Sequence, residues 1–211
     1  TPLTILEGHL TGMLNGFRGY ENHTEYMERS LAVVDRMEKL VKELLYVSKT
    51  EGTQKSKYKI VDFAEVFRVQ IAAVSDLLEE KKQHIEVNIP DRLYCEAEQV
   101  QMERAIQNIL VNAIRYSPSN ELIRVTLAEI HGTIRGEIEN TGVHVSGDAI
   151  PHLFEAFYRA DASRNRNTGG TGLGLYIVRK IMEMHHAKYG ISNTSKGVLF
   201  WFELSCKQPI D

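Results

Sequence analysis

Gly169-Gly-Thr-Gly-Leu-Gly-Leu175 sets glycines at the alternating positions 170, 172 and 174 and runs straight into an apolar-periodic segment that predicts a helix over about 173–186. Glycine lets the backbone come close to a phosphate, and a helix N-terminus behind it offers free N–H donors and the positive end of a dipole. The pattern is not a Walker loop, because no Lys-Ser/Thr pair follows the glycines. Nor is it a dinucleotide fingerprint, since no clean buried strand leads into it. By itself such a run also suits a flexible loop, so its meaning depends on what surrounds it.

On its C-terminal side the chain ends in a strand pair, 189–193 with 197–204. On its N-terminal side lies a polar, glycine-containing stretch, and before that two alternating segments, 122–130 and 133–140, predict paired strands. A long amphipathic pattern over 97–116 predicts a helix that stops before Ser117-Pro118. That helix carries Asn108 and Asn112 four residues apart, so both amides leave one face, and neutral amide oxygens suit Mg²⁺ that already holds phosphates. Arg115 follows on the same face, within reach of a phosphate. Two asparagines on a helix also suit a plain solvated surface. Further upstream, 58–61, 85–89 and 93–95 read as short strands, and Asp62 as the cap of a helical run to Lys82.

The first 50 residues differ in kind. Leu3, Leu6, Leu10, Met13 and Phe17 recur at spacings of three and four, and Met27, Val34, Met37, Val41 and Leu44 at spacings of seven, three and four beyond a break at 16–22. Each set traces the narrow seam of a packed helix, and a two-helix hairpin cannot cover both seams. A four-helix bundle built by two chains can, so a homodimer is expected. The polar segment 51–57 breaks the heptads and reads as a linker. The expected organisation is therefore a helical hairpin over 1–50, a linker over 51–57 and a second domain over 58–211, α+β in class, the second domain a two-layer α/β sandwich.

Composition narrows the function classes. The 211 residues carry a formal net charge of -3, with 43% hydrophobic and 25% charged residues, and show no basic footprint for nucleic acid. Cys95 and Cys206 stand far apart without a metal-binding spacing, which suits a reducing compartment. No apolar run approaches the roughly 20 residues that a membrane helix needs.

Taken together and in order, the segments resemble the catalytic core of bacterial two-component sensor histidine kinases, within the wider ATPase family that includes gyrase, MutL and the heat-shock chaperone ATPase. Asn108 to Tyr116 resembles the family's asparagine box and Asn140-Thr-Gly142 its first glycine box. Phe154-Glu-Ala-Phe157-Tyr-Arg159 resembles its phenylalanine box, and Gly170 to Leu175 its second glycine box. Thr1-Pro-Leu-Thr4 resembles the tail of the histidine box, whose acceptor histidine would then lie upstream of Thr1.

The resemblance implies ATP and Mg²⁺ as ligands. Asn112 is implied as the metal ligand, with Asn108 in support. Arg115 and Arg159 would engage phosphates and Tyr116 would pack near the base. Asn140, Gly142 and Val145 would line the base side, and Gly170, Thr171, Gly172, Leu173, Gly174 and Leu175 the phosphate side. Thr1 takes the position associated with dephosphorylating the regulator. The segment 155–168, with Arg164 and Arg166, resembles a lid.

The hydrolytic relatives carry a water-activating glutamate where this chain has Asn108, and an amide cannot act as that base, so transfer is favoured over hydrolysis. The chain departs from the family pattern in having Asn140 for an aspartate, His144 for a glycine, and His185-His186-Ala187 for His-Gly-Gly. The remaining histidines, His9 among them, receive no role. The implied protein is a homodimeric kinase that phosphorylates a histidine and passes the group to a response-regulator aspartate. It would form the cytoplasmic portion of an inner-membrane sensor whose membrane segments are absent from this chain. A nucleotide-binding scaffold of the same fold without transfer is the alternative.

Overall fold

The computed structural model describes residues 2–50, 58–160 and 170–207, and the chain divides into two compact units, Thr1–Thr53 and Gln54–Asp211. Thr1, the linker at 51–57, and Arg164 and Arg166 lie outside the described residues.

In the first unit, α1 (Pro2–Leu14) and α2 (His23–Thr50) are joined by a turn in which Gly16 and Gly19 adopt positive φ. Asn22 caps α2 by accepting from the Glu25 N–H at 3.3 Å. The hairpin is pinned near this turn. Gly12 lies under Tyr20, so close that a Cβ would meet the ring at 2.5 Å, and Tyr20 stacks on Tyr26 at 4.3 Å between centroids. His9 lies 3.1 Å from Ser30 Oγ, which donates to the Tyr26 carbonyl, so this histidine is a packing residue. The apolar seams are not covered within the unit. Leu3, Leu10, Phe17, Met27, Val34, Val41 and Leu44 are all exposed.

The second unit is a sheet with helices on one face. Its five strands, in the order β2-β4-β5-β7-β6, are β2 (His84–Asn88), β4 (Leu122–Ile130), β5 (Thr133–Thr141), β6 (Lys188–Asn193) and β7 (Gly197–Ser205). Only β2 and β4 run parallel. A separate pair joins β1 (Lys59–Asp62) to β3 (Tyr94–Ala97).

Alternation along β4 and β5 turns Ile123, Val125, Leu127, Ile134 and Ile138 toward the helices. They meet the apolar stripes of α3 (Phe63–Ala72), α5 (Gln99–Tyr116) and α6 (Gly174–Met184). Phe202 of β7 fills the centre, edge-on to Phe63 and over Gly136, where even a Cβ would sit 2.2 Å from its ring. The other sheet face is polar. Arg124 pairs with Glu86 and Glu139, and Arg135 bonds Glu137 and Glu203 while lying over the Trp201 ring at 4.2 Å. The expected α+β architecture is the one observed.

One expected element differs. The helical run from Asp62 toward Lys82 is two helices, α3 and α4 (Ser75–Glu80), parted at Ala73-Val74. Asp62 does cap α3, accepting from the Ala64 N–H. Val74 leaves helical geometry at φ -109°, ψ 8° and is 1% exposed. The bend lets Val74 and Leu78 both enter the core, and neither proline nor glycine marks it. Within the polar stretch after β5, a short 3-10 turn at Ile150–His152 places Pro151 at its start.

Candidate functional site

The site is built along α5. Its buried stripe, Met102, Ala105, Ile106, Ile109, Leu110, Ala113 and Ile114, holds the helix in the core. Asn108, Asn112 and Arg115 then emerge half-buried along the stripe's border, with Tyr116 exposed at the end. From Asn108 to Tyr116 the helix climbs about 12 Å at 1.5 Å per residue. Among the described residues, none hydrogen-bonds the two amides or the Arg115 guanidinium.

The glycine segment lies against this face. A Cβ on Gly174 would be 3.6 Å from Asn108 Oδ1, and one on Gly170 would be 3.2 Å from Arg115 Nη1 and 3.7 Å from the Tyr116 hydroxyl. Between them Gly172 has φ +76°, and a Cβ there would meet the Phe157 backbone at 2.8 Å. Gly172 O accepts from the Phe157 N–H at 3.0 Å. Phe157 itself is held at φ 66° with an exposed ring, a left-handed conformation that costs a non-glycine residue about 1–2 kcal/mol. Thr171 Oγ1 accepts from the Leu173 N–H at 3.2 Å, and Leu173 is 1% exposed, so α6 starts on a fixed anchor. Leu175 and Arg159 are half-buried.

Both ends of α5 are secured by residues that sequence reasoning missed. Lys81 Nζ donates to the carbonyls of Ile114, Arg115 and Ser117 at 2.9, 2.6 and 3.0 Å. The buried Gln83 amide donates to Ile114, Ser117 and Pro118. Carbonyls that a helix C-terminus leaves open are thereby satisfied, and Arg115 and Tyr116 are held in place. Burial, reinforced by the nearby Arg115 charge, pushes the Lys81 pKa down. At the other end His185 Nε2 accepts from the Glu98 N–H at 3.1 Å, while its Nδ1 lies 2.8 Å from the Ile181 carbonyl. Burial lowers the His185 pKa, which favours the neutral ring that this pair of bonds requires. No spacing rule would have found Lys81 or Gln83, because their acceptors are backbone atoms more than 30 residues away.

Beyond Tyr116 the chain ties to β5. Ser117 Oγ donates to the Thr141 carbonyl at 2.5 Å, and Thr141 Oγ1 donates to Glu121 and accepts from the Leu122 N–H. Gly142, at φ +80°, lies against Glu121, where a Cβ would clash at 2.6 Å. Val145 is clasped by Asn193, which accepts from its N–H at 3.0 Å and donates to its carbonyl at 2.7 Å. His144 turns its ring to the Thr194 carbonyl at 2.9 Å and has no positive φ, so this position fastens the loop to the β6–β7 turn. Asn140, like Gln83 with its Oε1, leaves a buried amide atom unmet here. It is 7% exposed, and its Nδ2 is buried without a partner among the described residues. Such an unmet donor typically costs about 1–3 kcal/mol.

Chemically, the strip presents two amides and an arginine, a helix N-terminus behind a glycine segment, and an unmet buried amide. No group of three or more His, Cys, Asp or Glu side chains that could hold a metal occurs among the described residues. A cation held chiefly by phosphates and one or two amide oxygens fits this donor set, and a caged metal does not.

Residues 97–208 match the family described as histidine kinase-, DNA gyrase B- and HSP90-like ATPases. The chain belongs to that family. Within these ATPases it is similar to the sensor protein VanSB of Enterococcus faecalis, 30% identical over 97% of this chain and 46% of that protein. It is equally similar to the phosphate regulon sensor protein PhoR of Haemophilus influenzae, 30% identical over 96% of this chain and 48% of that one. The chain thus spans about half the length of the curated relatives it matches.

The same ATPase fold appears in the Acinetobacter baumannii histidine kinase AdeS, with a TM-score of 0.77 and 24% identity across 99% of this chain and 96% of that one. It also appears in the histidine kinase ThkA, solved in complex with the response regulator protein TrrA, with a TM-score of 0.76 and 22% identity over 98% of this chain and 58% of that one. The chain therefore carries an ATPase domain of the kind that these sensor proteins and histidine kinases contain. No helix among the described residues is long and apolar enough to cross a membrane.

Proposed function

We propose that this chain is the core of a sensor histidine kinase that binds Mg²⁺-ATP along α5 and passes the γ-phosphoryl group to a histidine upstream of Thr1. From there the group goes to an aspartate of a response regulator. The observation that carries the reading is the apposition of Gly170 and Gly174 to Arg115, Tyr116 and Asn108, which lays a close-approach backbone and a helix N-terminus against the Asn108 amide and the Arg115 guanidinium.

In this reading Asn112 holds the metal and Asn108 supports it or its water shell. A bound Mg²⁺ would neutralise phosphate charge. Arg115 and Arg159 hold phosphates, while the N–H groups of Gly172, Gly174 and Leu175 receive them at the positive end of α6. Tyr116 packs at the base side with Asn140, Gly142 and Val145. Asn108 has no basic lone pair to activate water, so the site positions a phosphoryl group for a protein acceptor. Thr1 would orient a water for regulator dephosphorylation.

The exposed seams of α1 and α2 support dimerisation. Leu10, Val34 and Val41 would be covered by a second copy in a four-helix arrangement, with 1–50 as the dimerisation and phosphotransfer domain, 51–57 as linker and 58–211 as the ATP-binding domain. Attachment to a bacterial inner membrane would come through segments outside this chain.

The test is to incubate a version extended upstream through the histidine box with radiolabelled ATP, Mg²⁺ and the cognate regulator. The reading expects an acid-labile phosphoprotein that transfers its label to the regulator. Nucleotide binding with no labelled protein would establish the scaffold instead, and steady phosphate release without a protein acceptor would establish a hydrolase.

A further inference from the structure

We infer that Asn140 makes the base pocket accept 6-oxopurine nucleotides as well as adenine nucleotides. The inference rests on the nucleotide reading proposed above and names the class of base that reading leaves open.

Asn140 closes the buried row of β5, between Ile123 of β4 and Val198 of β7. It is more than nine-tenths buried, and its Nδ2 meets no acceptor among the described residues. The nearby hydroxyls are turned elsewhere: Ser117 Oγ donates to the Thr141 carbonyl, and Thr141 Oγ1 donates to Glu121 and accepts from the Leu122 N–H. A buried amide with a free donor, beside the Tyr116 end of the strip, therefore looks to a ligand for its acceptor.

Two features then set the selectivity. An ionised carboxylate at this position would offer acceptors only, whereas an amide offers an acceptor and a two-proton donor side by side. Adenine presents a 6-amino donor beside the N1 acceptor, and a 6-oxopurine presents O6 as acceptor beside an N1–H donor. A half-turn of the amide exchanges its donor and acceptor without changing its shape, so one side chain can match either edge.

That half-turn is prevented when the protein bonds both ends of the amide. Asn193 shows the prevented case, fixed between the N–H and the carbonyl of Val145. No described residue holds Asn140 in this way. A carboxylate at 140 would face O6 with lone pairs only, and would therefore discriminate against the 6-oxopurine.

The experiment is equilibrium binding of ATP, ITP and GTP, each with Mg²⁺, to the chain and to its Asn140→Asp variant. ITP shares O6 and N1–H with GTP but lacks the 2-amino group, so it separates hydrogen bonding at Asn140 from crowding at the purine C2 edge. The expected result is ITP affinity within tenfold of ATP for the unaltered chain, and a fall of fivefold or more in the ITP-to-ATP affinity ratio for Asn140→Asp. ITP more than tenfold weaker than ATP in the unaltered chain, or a smaller change of ratio in the variant, overturns the inference while leaving ATP binding intact. If Asn140→Asp does not fold, the ratio in the unaltered chain decides. Failure to bind any of the three nucleotides defeats the nucleotide reading itself, and this inference with it.

Discussion

The two units of this chain handle their apolar residues in opposite ways. In the sheet unit, Phe63, Phe67, Ile106, Ile134 and Phe202 are wholly shielded from solvent by the fold itself. In the helical unit, Leu3, Leu10, Leu14, Val34 and Val41 stay exposed even though both helices are formed and paired. The sheet unit can hold a site rigid on its own. The helical unit leaves a seam open, and if a second copy covers it as proposed, that unit's stability should depend on concentration.

The sharpest way to test that contrast is to truncate one large side chain in each unit. Phe202→Ala removes a ring packed on Phe63, Phe67 and Gly136 and should cost about 3–5 kcal/mol in guanidinium unfolding. Val34→Ala in dilute monomer should cost less than about 0.5 kcal/mol, as for an ordinary surface change, and should instead weaken self-association seen by sedimentation. Equal costs for the two would erase the distinction.

Next in size is Gly172→Ala. The added Cβ would need a left-handed backbone at φ +76° and would press on Phe157 from 2.8 Å, so the glycine segment must move off α5. ATP affinity should fall tenfold or more, and the left-handed backbone should also cost the sheet unit about 1–2 kcal/mol in unfolding.

A smaller effect is expected from acid. Burial lowers the His185 pKa below its unfolded value near 6.5, so its contribution to stability is complete above that pH. The contribution is lost as pH falls toward the folded value, because the unfolded state then binds the extra proton. The slope from this one group cannot exceed about 1.4 kcal/mol per pH unit. Unfolding measured between pH 7 and pH 5 should show the loss, and His185→Gln should flatten it. The smallest change is at His186, held at φ 52°. Replacement by glycine should stabilise the unit by about 0.5 kcal/mol, the left-handed strain relieved less the entropy glycine brings, read as a small rise in midpoint.

Much of the architecture was legible because period and burial agree. Leucine, isoleucine and valine alternate with polar residues through β4 and β5, and the α5 stripe repeats at helical spacing, so those elements sit within two residues of where the pattern puts them. The α3–α4 break was not legible, because a buried valine in bridge geometry looks in sequence like any other helical valine. At the site, the glycine run and the paired asparagines announced themselves by spacing. Their supports did not, since Lys81 and Gln83 act on backbone carbonyls and His185 on a backbone N–H far along the chain. The roles of Asn112, Arg115 and Arg159 came from the resemblance of their segments to known kinases, because spacing alone reads them as a solvated helix face or loop.

The most direct test is therefore isothermal titration of ATP, with and without Mg²⁺, into the chain and into Asn112→Ala. The account predicts Mg²⁺-dependent binding to the unaltered chain and, in the variant, a fall of a hundredfold or loss of binding, with the fold intact by circular dichroism. Unchanged affinity and unchanged Mg²⁺ dependence in Asn112→Ala would contradict it.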